Sequence, residues 1–388
     1  MSGVLLHDGR RIGHKKWCID AISQGRADGV IITPFSTPRV AVPRHPSATD
    51  MVSAIGEVSG EVLFDPMTHA ALLPTSNKWD FYDTWELWGP GGRSLAGPAL
   101  QLAHVEKVFD RQRQLGAQLL APTLQLDSPL TSDAHTARDL ARVAQGLERM
   151  SGQSLVGTRS FWASGAHLDA YVGTLAALRA PLWVITVAND VVLDHVPDLE
   201  NTLAYAGLCR TVHSLSLRSR VVIAYSDFSG LPGVAAGADT VGSGWDRAQR
   251  TFDPLAFRVD SDPGIRIPAS YVTQGGLLSI LRRDTADAIE RWNPVEALRI
   301  RGAVMPPSDQ SQRLHHLTQL RAAVYAVDGF GRDRGGRVDA LRERYRVAQV
   351  DYDRLITDLS PVIREVDKTA WVVNQSTVLE AYASAEGL

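Results

Sequence analysis

Cysteine is nearly absent. Cys18 and Cys209 are the only two in 388 residues, and neither has a CxxC partner. A cysteine zinc cluster is excluded and a disulfide framework is not expected. Long apolar runs are missing too. None approaches the ~18 residues of a membrane span, and the opening "MSGVLLHDGRRIGHKKW" is too polar for a signal peptide. The expectation is a soluble cytoplasmic chain with no membrane partner. An excess of one charge is also lacking. The formal net charge of −3 offers no global attraction for nucleic acid or an anionic membrane. Lysine is scarce, 5 against 35 arginines; base composition is the first explanation, although arginine also suits phosphate recognition.

The motifs of metal and nucleotide chemistry are missing as well. No histidine pair has HxH or HExxH spacing. His69 lies four residues beyond Asp65, and the adjacent His315 and His316 point in different directions on a helix. There is no GxSxG, no Walker A and no dinucleotide fingerprint on a strand–helix unit. Neither a metal nor a cofactor is expected.

What is present is an ordinary globular balance, 44% hydrophobic and 21% charged, with a strong rhythm. Seven short apolar runs alternate with stretches of helical spacing. They are "GVIITPF" (29–35), "GEVLFDP" (60–66), "AQLLAPTLQLD" (117–127), "SLVGTRSF" (154–161), "PLWVITVAND" (181–190), "RVVIAYSD" (220–227) and "ADTVGSGW" (238–245). Near-continuous apolar runs mark strands covered on both faces, hence a parallel sheet with crossover helices. Seven such units predict an α/β fold, a parallel (β/α)8-type (TIM) barrel with a C-terminal helical extension. The missing strand is either "GVLLHDGR" at the start or "GIRIPASYV" (264–272). Helices are expected over 104–116, 132–152 and 164–180, the second capped by Ser132.

The predicted division is a barrel over 1–252, an irregular connector over 253–308 and a helical region over 309–388. In the last, Val338, Leu341, Tyr345, Ala348, Tyr352, Leu355 and Leu359 step by three and four. That coiled-coil-like seam packs either on its own chain or on a protein partner or second copy. Ser360-Pro361 then reads as the start of another helix.

Barrel enzymes place their chemistry at the C-terminal ends of the strands. There the sequence puts Asp65, Thr123 with Asp127, Arg159, Asn189 with Asp190, and Asp227. Each acid alone is as readily a helix cap. As a set they suit acid–base or nucleophilic work, because burial and proximity spread their pKa values. Asp65 and Asp227 are expected to face one mouth. The exit of the last strand, Gly242, Ser243, Gly244 and Trp245 with Arg247 and Arg250, suits a backbone anion cradle, or is simply a tight turn. Two insertions follow strands, 35–50 and 66–101. The second carries Trp79, Phe81, Tyr82, Trp85 and Trp88, a base-stacking surface or a self-packed lid.

The order "LFDPMTH" (63–69), "RQRQLGAQLLAPTLQLDSP" (111–129), "SLVGTRSF" and "VVIAYSDFSGLPGVAAGADTVGSGWDRAQR" (221–250) resembles the tRNA-guanine transglycosylase superfamily and its DNA-modifying deazaguanine relatives. The resemblance implies Asp65 as the base-side aspartate and Asp127 as a loose counterpart of the residue reading the base edge. It implies glycosidic base exchange or cleavage on a nucleobase in nucleic acid. Two departures stand against it. Gly242 occupies the place of the nucleophilic aspartate, so that either Asp246 or Asp227 substitutes or the activity is absent, and the cysteine zinc module is missing. Two other readings remain open: an enzyme on a small phosphorylated metabolite held at the last two strands, and a non-catalytic subunit assembling through its helical tail.

Overall fold

The computed structural model describes residues 3–74, 76–189, 192–193, 196–197, 199–246, 249–257 and 270–388. Its centre is an eight-stranded sheet in which every pairing is parallel. The strands are β1 (Gly3–His7), β2 (Gly29–Ile32), β3 (Glu61–Phe64), β4 (Gln125–Leu126), β5 (Gln153–Thr158), β6 (Leu182–Ala188), β7 (Arg220–Ala224) and β8 (Thr240–Gly244). Their spatial order is β3-β2-β1-β8-β7-β6-β5-β4. The chain before β4 joins the two edges: Gln118 bridges Leu63 of β3, and Leu120 bridges Gly152 ahead of β5. The sheet therefore curls into a TIM-barrel-like form. Of the two alternatives for the missing strand, the N-terminal "GVLLH" is the one used. Most of the other segment lies outside the described residues.

Alternation decides which side chains fill the barrel. Leu5, Ile31, Leu63, Leu120, Leu182, Val184, Val222 and Ala224 form one interior cluster, with Tyr225 packed against it. Their neighbours along each strand, such as Leu6, Val30, Phe64, Trp183, Val221 and Val241, belong to the larger core beneath the helices. Residues facing each other in register share a side, so Gly242 and Gly244, opposite Leu5 and His7, face inward. Ser243, opposite Leu6, faces outward.

Helices α1 (His14–Ser23), α2 (Ala48–Glu57), α3 (Pro98–Leu115), α4 (Ser132–Leu147), α5 (Ala166–Ala176), α6 (Thr202–Ser216) and α7 (Leu231–Ala236) alternate with the strands. The capping hydroxyl of α4 is that of Thr131, one residue before the expected cap, accepting from the Ala134 amide. The stretch after residue 253 is less irregular than its turn signals suggest. It holds a hairpin of β9 (Tyr271–Gln274) and β10 (Ser279–Arg282), then α8 (Arg283–Trp292) and α9 (Pro294–Arg301). Each element there is short, so periodicity over a long window misses it.

Helix α10 (Asp309–Asp328) packs against β1, β8, α1 and α7. It occupies the flank of the barrel between the first and last strands. The C-terminal helices thus pack directly on the barrel. The predicted seam lies on α11 (Arg334–Leu359), where Val338, Leu341, Tyr345, Ala348, Tyr352 and Leu355 are fully buried. It packs on α7, α10 and α12 (Asn374–Glu386) of the same chain. The seam is therefore covered by elements of the same chain. Residues 360–363 form a turn, and the next helical turn starts at Glu365, later than Ser360-Pro361 suggests. Among the described residues no helix is long and apolar enough to cross a membrane.

Candidate active site at the barrel mouth

The C-terminal ends of β1, β3 and β7 bring one polar cluster together. β1 ends in His7, whose ring stacks on Tyr225 with centroids 3.5 Å apart and an 18° interplanar angle. The Tyr225 amide donates to His7 Nε2 at 2.9 Å. With Nε2 accepting, the ring proton sits on Nδ1, which is buried and has no partner among the described residues. Burial lowers the His7 pKa to about 3, so the ring stays neutral. It is a fixed N–H donor inside the barrel.

Asp65 continues the inward-facing positions of β3 and is 5% exposed. Its Oδ1 accepts from the Met67 amide at 2.8 Å. Two residues on, His69 is buried, and neither ring nitrogen has a partner among the described residues. Burial lowers its pKa, opposed by the Asp65 charge. The Tyr225 phenol lies 4.0 Å from Met67 Sδ, and burial, then the charges of Asp65 and Asp8, hold it protonated. Phe252 roofs the group, with its ring centroid 5.2 Å from His69 and 5.5 Å from Tyr225. Its carbonyl accepts from the Asn189 amide at 3.0 Å, which ties the exit of β8 back over the end of β6.

Asp8, next to His7, is the acid that sequence reasoning missed. Its Oδ1 accepts from the Thr33 amide at 3.1 Å and its Oδ2 from the Thr37 hydroxyl. Burial raises its pKa to about 7 against both hydrogen bonds, and the Asp65 charge adds to the rise. The signal lies in the sequence: "GVLLHDGR" is a candidate strand, and an acid ending it belongs with the other strand-end acids.

The remaining predicted residues scatter. Asp227 does not join Asp65, and the two share no partner. Asp227 Oδ2 lies 3.0 Å from His316 Nε2 of α10, 3.3 Å from Ser243 Oγ and 3.4 Å from Arg250 Nε, while Oδ1 accepts from the Phe228 amide at 2.7 Å. Ser243 faces out of the barrel, so this network lies between the barrel wall and α10. Thr273 Oγ1 meets His316 Nδ1 at 3.0 Å and receives Gln312 Nε2 at 3.1 Å. Ser243, His316 and Asp227 form no nucleophile relay, because serine and aspartate meet the same ring nitrogen.

Gly242 has no room for a side chain. A Cβ there would stand 2.5 Å from His7 Nε2, 2.8 Å from the Tyr225 amide and 2.9 Å from Ala224 Cα. Gly244 is crowded by Gln249, and Arg250 turns inward to the Gly244 carbonyl at 3.0 Å. Of the two arginines of the expected cradle, Arg250 is thus spent on the protein itself. Trp245 packs edge-on against Trp17 at 5.2 Å, with the Arg313 guanidinium 4.2 Å over its ring. Asn189 is occupied by the Tyr205 phenol at 2.7 Å and the Val187 carbonyl at 3.2 Å. Asp127 is exposed, and Arg159 starts a short half-buried turn after β5. Asp190 and Arg247 lie outside the described residues. The aromatic insertion is core: Phe81, Tyr82 and Trp85 are buried, and Trp88 stacks on His104 at 3.9 Å. Among the described residues no three His, Cys, Asp or Glu side chains group as metal ligands.

No family model matches the chain, and no curated protein matches it. Similar solved structures include active domain 2 of a chitinase from Pyrococcus furiosus, 9% identical over 63% of this chain and 84% of that one, with a TM-score of 0.36. Another is a homocysteine methyltransferase from Escherichia coli, 17% identical over 63% and 92%, TM-score 0.33. A third is a xylose isomerase-like TIM barrel fused to 4-hydroxyphenylpyruvate dioxygenase, 11% identical over 93% and 45%, TM-score 0.31. Likenesses at this level identify neither a family nor an activity.

Proposed function

We propose that the chain is an acid–base enzyme working at the C-terminal mouth of its barrel. Asp65 is the base, His69 its proton partner, and His7 Nδ1–H a fixed donor to the substrate. One observation carries this reading. Three buried histidine nitrogens have no partner among the described residues, and they lie around a carboxylate and a phenol where barrel enzymes do their chemistry. A polar ligand would supply the partners they lack.

The reaction class follows from the resemblance together with one steric fact. Cleavage or exchange of a glycosidic bond on a nucleobase-bearing substrate suits Asp65 as the acid–base group. Position 242 has no space for a second carboxylate, so a covalent intermediate formed there is not part of the proposal. Direct attack by water or an incoming nucleophile is: the C–O bond forms as the glycosidic C–N bond breaks, Asp65 takes the proton of the nucleophile, and the His69 N–H gives a proton to the departing base.

The test is release or exchange of base from nucleosides and short oligonucleotides, followed by chromatography. Asp65→Asn and His69→Gln should lower turnover by about 10²–10⁴-fold, the usual weight of a positioned acid–base group, with unchanged circular dichroism. Full turnover in both variants would overturn the assignment.

A further inference from the structure

The acid–base groups are shut off from solvent. His7, Asp65 and His69 are each no more than 5% exposed, too deep for a nucleoside to reach while the roof is in place. That roof is the ring of Phe252. Beyond it Phe257 follows at a centroid distance of 5.8 Å, in the short turn Pro254–Phe257, where Leu255 and Ala256 are exposed. The line from the site to solvent passes through this segment.

Phe252 is a poor neighbour for the groups it covers. Its ring stands 5.2 Å from the His69 ring at an interplanar angle of 69°, and 5.5 Å from the Tyr225 ring. A phenyl ring offers a buried imidazole at most a weak N–H···π contact. Both His69 nitrogens and His7 Nδ1 have no hydrogen-bond partner among the described residues. Buried donors and acceptors left unmade cost free energy. A ligand as flat as the phenyl ring, but carrying ring nitrogens, would recover it.

The segment is also lightly held. It folds on itself: Asp253 Oδ1 accepts from the Leu255 amide at 2.8 Å, and the Asp253 carbonyl accepts from the Ala256 amide at 3.1 Å. At its outer end the exposed Lys78 donates from Nζ to the Ala256 carbonyl at 3.0 Å, and Phe257 stands edge-on to Phe35 at 5.2 Å. At its inner end the Asn189 amide donates to the Phe252 carbonyl at 3.0 Å. A surface bond such as that of Lys78 is readily exchanged for water and is worth little net. We propose that residues 252–257 are a strap whose Phe252 ring fills the place of the substrate's base. Binding lifts the strap and replaces the phenyl ring, between His69 and Tyr225, by a flat nitrogen heterocycle. The proposal rests on the acid–base reading for where the substrate sits. Such lids keep a site dry until the substrate arrives, and they weaken the apparent affinity by the fraction of molecules that are open.

The experiment titrates the full chain with adenine by calorimetry, with benzene as a ring that has no polar atoms. Benzene should bind at least about tenfold more weakly, because it partners none of the three nitrogens. Phe252→Ala removes the competing ring and should bind adenine at least about threefold more tightly than the parent does. Lys78→Met, at an exposed site, should tighten binding about twofold and keeps the test open where Phe252→Ala fails to fold. Hydrogen exchange at the Asn189 amide should quicken when adenine binds, because its acceptor leaves with the strap. Tighter adenine binding by neither variant would show that Phe252 is core packing and overturn the proposal. So would unchanged Asn189 exchange at saturating adenine, benzene binding as tightly as adenine, or no adenine binding at all. Because binding is read here and turnover is not, the two readings fail separately. Full turnover in Asp65→Asn beside tighter adenine binding in Phe252→Ala overturns the acid–base assignment and leaves the strap.

Discussion

Replacing Asp227 by Asn should damage the fold before it damages any chemistry. The backbone there is left-handed, φ 51°, a region aspartate and asparagine tolerate alike, so the change isolates the side chain. With the amide oxygen kept on the Phe228 amide, the new NH2 faces His316 Nε2–H and the Ser243 hydroxyl. Donor then meets donor. Relief requires His316 to move its proton to Nδ1, which faces the Thr273 hydroxyl, and the conflict passes to Thr273 and Gln312. The Arg250 pair at 3.4 Å loses its negative member while both side chains stay below 10% exposure. A charge-assisted hydrogen bond is worth about 1.5–3 kcal/mol, and breaking a buried ion pair costs about 3–5 kcal/mol. Partial rearrangement puts the expected loss near 3 kcal/mol, a large share of a typical ~5–15 kcal/mol total. Urea unfolding followed by circular dichroism should show a lower midpoint with an unchanged slope. Asp127→Asn, at an exposed site, should stay within about 0.5 kcal/mol of the parent. If the two variants unfold alike and only Asp227→Asn loses turnover, Asp227 is a reacting group and the structural assignment is wrong.

Leu341→Asp and Leu355→Asp on α11 each place a carboxylate at a fully buried position without a partner. Each should cost several kcal/mol, of the order of ~3 or more, and leave the oligomeric mass as it is in the parent; an unchanged urea midpoint would show that the seam is not packed. Acid should destabilise the protein well before its carboxylates titrate. Burial lowers His7 to about 3 and His14 and His104 to about 4, so each is neutral when folded. The unfolded chain takes up those protons near pH 6.5, and the stability present above that value is lost as pH falls toward 4 and below. Asp8, raised to about 7, has the opposite sign, since its stabilising contribution grows as pH falls from 7 toward 4. Three histidines outweigh one aspartate, so the urea midpoint should fall steadily between pH 7 and pH 4; a maximum inside that window would refute the balance.

The barrel was legible because it is written in long, redundant signals. A run such as "LWVITVA", β-branched and covered on both faces, has few other uses, and six more recur at crossover spacing. The seam on α11 was legible for the same reason. What covers the seam was not, because its partners α7 and α12 lie about 100 residues upstream and at the far end of the chain. The hairpin at 271–282 was lost between turn signals. Strands of four residues give too few alternations to stand out from a loop.

The site was half legible, and the difference between Asp65 and Asp227 shows why. Both end a strand in sequence, and both are buried. Asp65 keeps the phase of Leu63, so it continues the inward side of β3. After β7 the phase breaks: Tyr225 and Asp227 both take positive φ, and the Ser226 amide pairs with the Gly242 carbonyl. The chain turns over the barrel rim. Asp227 comes out beside Ser243, on the outward side of β8, where α10 meets it with His316. No local pattern announces that partner, 89 positions away. The rule that strand ends carry the chemistry thus holds only together with the side-chain phase. Applied with it, the rule selects His7, Asp65 and Tyr225 around one interior and sets Asp227 aside as the fastening of the C-terminal helices. Gly242 fits the same account. The position that would carry a nucleophile by resemblance is the one the His7–Tyr225 contact fills, so the missing aspartate and the presence of that contact are one structural choice.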